Sequence, residues 1–139
     1  AFSPLRESAL LPILLACTVV FWLVGFAIIY ALQDFEFDRQ HGLHSLVVRW
    51  GPKVALQAAF LSHMFMIAFL TLFGLLAGFR MAFYVGLAII VGSVVLEHLL
   101  ARWRKQNWIQ NAFFRLNAVI SVVFLVVTVA EVVFPWFRL

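Results

Sequence analysis

The residues of this chain that could do chemistry crowd into one stretch, Tyr30-Ala-Leu-Gln-Asp-Phe-Glu-Phe-Asp-Arg-Gln-His-Gly-Leu-His-Ser45. It holds three of the chain's six carboxylates, Asp34, Glu36 and Asp38. Tyr30 and Gln33 stand just before them, Arg39, His41 and His44 follow, and Arg49 and Lys53 close the segment. If the helix that precedes the segment continues through it, Asp34 and Asp38 are spaced i, i+4 and share a face. Two carboxylates with cations beside them suit Mg²⁺, which prefers oxygen ligands and is often held by one or two carboxylates plus substrate phosphates. Arg39, Arg49 and Lys53 could neutralise the phosphate oxygens. The chemistry so suggested is departure of a diphosphate at the end of a helical bundle. A D-x-x-x-D spacing also arises by chance, and a solvated loop joining two membrane helices is the plainer alternative.

The elements that must position this segment are apolar. The chain has 139 residues, of which 65% are hydrophobic and 12% charged, and its mean hydropathy is +1.07. Ordinary soluble domains are nearer half apolar and a quarter charged. The expectation is an all-α integral membrane protein with four transmembrane helices in a single domain over 1–139. Residues 8–33 carry no charge and are long enough to cross a ~30 Å hydrocarbon core. The first span is placed at about 10–33, with Ser8 as cap and Pro12 in the first turn. Gly25 and Ala27 are small enough to let a neighbouring helix approach closely, with ordinary membrane composition the favoured reading of both. The polar segment occupies 34–52, and Gly51-Pro52 marks its end. Further spans are expected at about 53–77, 81–101 and 115–134. The basic connector Arg102–Asn111 brings tryptophans to a membrane interface, and Pro135 with Trp136, Phe137 and Arg138 ends and anchors the last span.

Charge sets the expected orientation. Arg39, Arg49, Lys53, Arg102, Arg104, Lys105 and Arg115 fall on one side, against Arg6, Arg80 and Arg138 on the other. The positive-inside rule puts segment 34–52 in the cytoplasm, with a bacterial inner membrane as the expected location. The net charge of +4 reads as loop charge, with no nucleic-acid partner. The single Cys17 excludes an intramolecular disulfide and a sulfur-ligated zinc. The opening residues lack a basic region ahead of a short apolar core, which argues against a removable signal peptide. Residue 1 is Ala, so either the initiator Met is lost or the chain is part of something longer.

Other polar residues lie inside the spans. By residue count His63 sits ~15 Å deep and His98 within a turn of the end of its helix, so the depths do not match and a haem bridging them is not expected. His63 reads as a hydrogen-bonded interior residue near an internal cavity. Glu97 is expected to reach toward Arg102, and Glu131 to snorkel or pair with Arg138.

The run Tyr30–Ser45, followed by Arg49-Trp-Gly51, resembles the second aspartate-rich motif of the UbiA-type intramembrane prenyltransferases. It is most similar to the 4-hydroxybenzoate polyprenyltransferase-like branch associated with menaquinone biosynthesis. The resemblance continues into Asn111-Ala-Phe-Phe-Arg-Leu-Asn117. It implies that the four helices correspond to helices six to nine of a nine-helix bundle, in which two aspartate-rich motifs hold Mg²⁺ and the diphosphate of an isoprenoid donor. It further implies Asp34 and Asp38 as metal ligands, Arg39, Arg49 and Lys53 as diphosphate contacts, and Tyr30, Gln33, His41 and His44 as pocket residues. Two departures stand out: the first motif, N-x-x-x-D-x-x-x-D, is absent from these residues, and Ala27 stands where many relatives carry an acid.

Two functions follow. In the first, the chain is half of a prenyltransferase that moves a polyprenyl group from its diphosphate to an aromatic acceptor in quinone biosynthesis, completed by an amino-terminal half or partner chain and inactive alone. In the second, it is a truncated, non-catalytic accessory subunit of a larger energy-converting or photosynthetic membrane complex, with lipid, quinone or pigment contacts.

Overall fold

The computed structural model describes the backbone of residues 4–103 and 106–134, with side chains over 9–103 and 112–134. Six helices follow in order: α1 (Pro4–Gln33), α2 (Phe35–Gln40), α3 (Leu46–Trp50), α4 (Pro52–Leu76), α5 (Met81–Trp103) and α6 (Gln106–Val133). No strand occurs among the described residues. Within α1, α4, α5 and α6 lie four stretches long and apolar enough to cross a membrane: Ala9–Gln33, Pro52–Leu76, Met81–Trp103 and Ala112–Val133. Large apolar side chains such as Ile13, Phe60, Leu75 and Leu125 are exposed on the outside of the bundle. In water they would be a liability; against lipid chains they cost nothing.

Several bounds differ from the sequence reading. Helix α1 begins at Pro4, so Ser8 is not its cap and Pro12 lies well inside it. Pro4 itself occupies a first-turn position, where a missing N–H is harmless. Helix α6 starts at Gln106 rather than near 115, because the amide-rich residues after the basic pair are helix-compatible. Arg104, Lys105 and the expected anchor Pro135–Leu139 lie outside the described residues.

Without a hydrophobic force between helices in lipid, small residues that admit close packing decide where spans meet. The interfaces are built that way, each glycine receiving a bulky side chain. Helix α1 packs most extensively on α4 and α5 on α6, with α4 and α5 joining the pairs. At α1–α4, Gly25 faces the His63 ring; at α4–α5, Gly74 faces Phe83; at α5–α6, Gly86 faces Val127. At each, a Cβ would overlap the inserted side chain. Gly25 is therefore a contact surface, not neutral membrane composition. Beside it Ser62 Oγ donates to the Phe21 carbonyl at 2.7 Å across the same interface, while Ala55 and Ala59 are fully buried. Leu14, Met66, Leu70, Phe83, Ile90 and Ile120 fill the centre.

The α4–α5 turn is short. Gly78 takes φ +69°, a left-handed conformation that only glycine adopts freely, and Phe79 N–H returns to the Gly74 carbonyl at 2.9 Å. The start of α5 is satisfied from another helix. Glu131 Oε1 on α6 accepts from the backbone N–H groups of Arg80 and Phe83 at 3.1 and 3.2 Å. These are donors a helix start leaves unpaired, and a carboxylate there also meets the positive end of the helix dipole. Glu131 is thus a buried cap (3% exposed), not a snorkelling residue; its expected partner Arg138 lies outside the described residues.

Gly25→Ala is expected to lower thermal stability in detergent by about 1–3 kcal/mol, the range for forcing an extra methyl into a packed interface. Adding His63→Ala, which removes the overlapping ring, should make the Gly25→Ala step nearly silent. Equal destabilisation in both backgrounds would show that the ring is not what Gly25 accommodates.

Candidate functional site

The polar segment is two short helices set between breaks. Helix α1 does not run through to Asp38 but ends at Gln33. Asp34 has φ −93° and ψ 2°, and its N–H bonds to the Ala31 carbonyl at 3.2 Å, a tightened last turn. The helical relation between the two aspartates nevertheless survives, because Asp38 N–H donates to the Asp34 carbonyl at 2.8 Å. A one-turn, i to i+4 bond keeps Asp34 and Asp38 on one side of the chain. Neither carboxylate has a hydrogen bond or ion pair among the described residues, and Asp34 is exposed.

What holds the segment in place is α3. Ser45 caps it, accepting from Val48 N–H at 3.3 Å, and Val47 is fully buried as α3 packs on α1 and α4. Gly51, at φ +80°, turns the chain into α4, and Pro52 starts that helix where its lack of an N–H is tolerated.

The remaining segment residues fall into groups. Arg39 pairs with Glu36 at 3.6 Å, both well exposed, and lies 5.9 Å from the Phe35 ring centroid. Exposed pairs of this kind contribute little, so Arg39 is held loosely. Arg49 is exposed on α3 with no ion pair among the described residues. His41 and His44 are turned inward on their own backbone: each Nδ1 lies against a carbonyl, Phe37 at 2.9 Å and Gly42 at 3.0 Å. His41 also stacks on Phe37 with centroids 4.0 Å apart. Tyr30, half exposed, belongs to an aromatic array with Phe26 and Phe114 that joins α1 to α6. Both polar atoms of the Gln33 amide are buried without a hydrogen bond, next to Asp34. Lys53 lies elsewhere: it lines a groove of about 650 Å³ between α4 and α5 that Asp34, Asp38, Arg39 and Arg49 do not line. No cluster of three or more His, Cys, Asp or Glu occurs among the described residues.

Deeper in the bundle the sequence reading missed two polar connections. His63 Nδ1 and His98 Nε2 are 3.0 Å apart, so the expected mismatch in depth is wrong. Helix α5 runs on to Trp103, which puts His98 deeper than supposed. Side chains also lean toward the start of their own helix, and in antiparallel α4 and α5 that tilts the two rings toward one another. Glu97 does not turn to Arg102. It is 2% exposed and accepts from Asn117 Nδ2 at 2.9 Å, while Asn117 Oδ1 accepts from Trp22 Nε1 at 2.9 Å. This chain ties α1, α6 and α5 together in the interior. The signal was present, since a membrane-buried Glu and Asn require partners, but sequence alone does not say which. An apolar pocket of about 150 Å³, open to the surface of the bundle, lies among Thr18, Trp22, Met66, Ile90 and Phe124; His63 does not line it.

The arrangement is a pair of carboxylates, Asp34 exposed and Asp38 half-buried, with exposed arginines at one end of an apolar bundle. The family model for the UbiA prenyltransferase family matches residues 3–130. The chain belongs to this family. Among curated proteins it is similar to a 4-hydroxybenzoate octaprenyltransferase from Nitrosomonas eutropha, 27% identical over 111 residues, which cover 80% of this chain and 38% of that relative. The chain therefore spans well under half the length of that relative. No solved structure gives a significant match. As a UbiA-family chain with four spans, this is an integral membrane protein.

If Val47 pins the segment, Val47→Ala should cost roughly 2 kcal/mol locally. Amides of 46–50 are then expected to exchange with solvent about tenfold faster or more, while those in the middle of α4 stay protected. Unchanged exchange at 46–50 would mean that another contact fixes the segment.

Proposed function

We propose that this chain supplies one half of the diphosphate site of a prenyltransferase, moving a polyprenyl group from its diphosphate to an aromatic acceptor in quinone biosynthesis. Family membership supports the reaction class, and the name of the Nitrosomonas relative supports an aromatic acid as acceptor. The observation that carries the reading is the Asp34–Asp38 pair, kept in helical register by the backbone bond between them and with no side-chain partner among the described residues.

The donor set fits Mg²⁺ in part. Two carboxylates offer the hard oxygens that Mg²⁺ prefers, and the ion commonly completes its shell with water and substrate phosphate. When bound, the ion would neutralise charge on the departing diphosphate. Arg39 and Arg49 would contact its oxygens, Arg39 by leaving its weak pairing with Glu36. Because Lys53 lines the α4–α5 groove, we assign these contacts to the two arginines. Tyr30 borders the site from the aromatic array, and Gln33, its amide buried, backs it from the end of α1. His41 and His44, held against backbone carbonyls, shape the loop. The reaction breaks the allylic C–O bond with the electron pair leaving on diphosphate; the resulting carbocation is captured by the aromatic ring, which then loses a proton. By the distribution of Lys and Arg, the segment faces the cytoplasm of a bacterial inner membrane.

The experiment is intact-mass analysis and prenyl-transfer assay of the protein in its natural assembly. Transfer is expected, with Asp34→Asn and Asp38→Asn each lowering it by about 100-fold or more, as loss of a group stabilising the leaving charge does. An assembly that transfers no prenyl group and contains no N-x-x-x-D-x-x-x-D sequence would remove the enzyme reading and leave an accessory subunit.

A further inference from the structure

The α4–α5 groove has a composition of its own, and the proposed reaction does not use it. Along α4 its wall is Lys53, Gln57 and Phe60; along the antiparallel α5 it is Arg102, Leu99 and Val95. Both sets recur at three to four residues, so each forms one stripe on its helix. Because the helices are antiparallel, Lys53 at the start of α4 and Arg102 at the end of α5 stand at the same end of the groove, the end of the polar segment. Phe60 and Val95 lie seven residues farther along their helices, ~10 Å deeper. Polarity thus falls from two cations, through the Gln57 amide, to a wholly apolar floor.

Neither Lys53 nor Arg102 makes an ion pair among the described residues. The nearest acid on α5, Glu97, is five residues from Arg102, some 140° around the helix, and is bound to Asn117 in the interior. His98, which also borders the groove, is engaged with His63. A volume of about 650 Å³ is ample for part of an amphiphile, and basic pockets between spans are suited to anionic lipid headgroups.

We infer that this groove is a site for an anionic phospholipid of the leaflet that borders the polar segment. Its headgroup phosphate sits between Lys53 and Arg102, its glycerol oxygens meet Gln57, and one acyl chain runs down past Leu99 and Phe60 to Val95. The inference stands apart from the proposed reaction, since neither Asp34 nor Asp38 takes part.

The test is native mass spectrometry on the protein in its natural assembly, titrated with phosphatidylglycerol or phosphatidylcholine. One phosphatidylglycerol per chain is expected to be held at least tenfold more tightly than phosphatidylcholine. That preference should vanish in the doubly substituted K53Q/R102Q chain, whose altered side chains are both exposed and so leave folding intact. Leu99→Trp, which fills the groove without altering charge, should weaken retention of both lipids. Equal retention of the two lipids, or a preference untouched in K53Q/R102Q, would overturn the site. Displacement of the lipid by inorganic pyrophosphate would overturn the lipid assignment by giving the cations to a free diphosphate. A companion chain crosslinked from position 99 would do so by showing protein in the groove.

Discussion

Three glycines determine how the four spans can meet. In lipid, apolar surface gains nothing by turning from a fatty chain to a neighbouring helix, so association depends on how closely surfaces fit. Gly25, Gly74 and Gly86 each receive one bulky side chain from the next helix in the series α1–α4–α5–α6. One such contact fixes the rotation of a helix about its axis; three in succession fix the whole bundle. The ends of the series are then joined by Trp22, Asn117 and Glu97, whose hydrogen bonds link α1 to α6 and α6 to α5.

The buried polar groups follow the same economy. Water is not at hand in a hydrocarbon layer, so each polar group needs a partner from the protein. Ser62 finds the Phe21 carbonyl, His63 finds His98, and Glu131 finds the unpaired N–H groups at the start of α5. Every one of these bonds crosses between elements, so each also reports a specific register. The polar segment makes fewer such bonds. Among the described residues the side chains of Asp34, Asp38 and Arg49 make no hydrogen bond or ion pair, and Gln33 at the end of α1 hides an amide without a hydrogen bond. Interior atoms such as His63 Nε2, Glu97 Oε2 and Thr128 Oγ1 also lack a hydrogen bond among the described residues, so what distinguishes the rim is the exposure of Asp34, Arg39 and Arg49.

Much of this was legible in the sequence, for identifiable reasons. Uncharged runs bounded by Gly51-Pro52 and Gly78 locate the spans, because length and charge are one-dimensional properties. The aspartate-rich stretch also declares itself, being the densest polar run in an apolar chain. What could not be read was pairing. Glu97 and Arg102 are near in sequence, yet Glu97 bonds to Asn117, because a helix places residues five apart on different faces. The depths assigned to His63 and His98 failed because they counted Cα positions and neglected the lean of the side chains. The early start of α6 was hidden by a basic connector that resembles a loop in composition but has no residue that breaks a helix.

The histidine contact has a mechanical consequence. His63 and His98 meet because their helices run in opposite directions and both rings lean to the same level. Sliding one helix along the other by a single turn, ~5.4 Å, would carry the rings past each other and draw His63 away from Gly25 as well. Lengthwise pistoning of α4 against α5 is thereby blocked. Movement at the rim is left to the bends at Asp34 and Gly51, where the backbone hydrogen-bond ladder is already interrupted. The segment between them is tied to the bundle by α3, whose Val47 is buried against it.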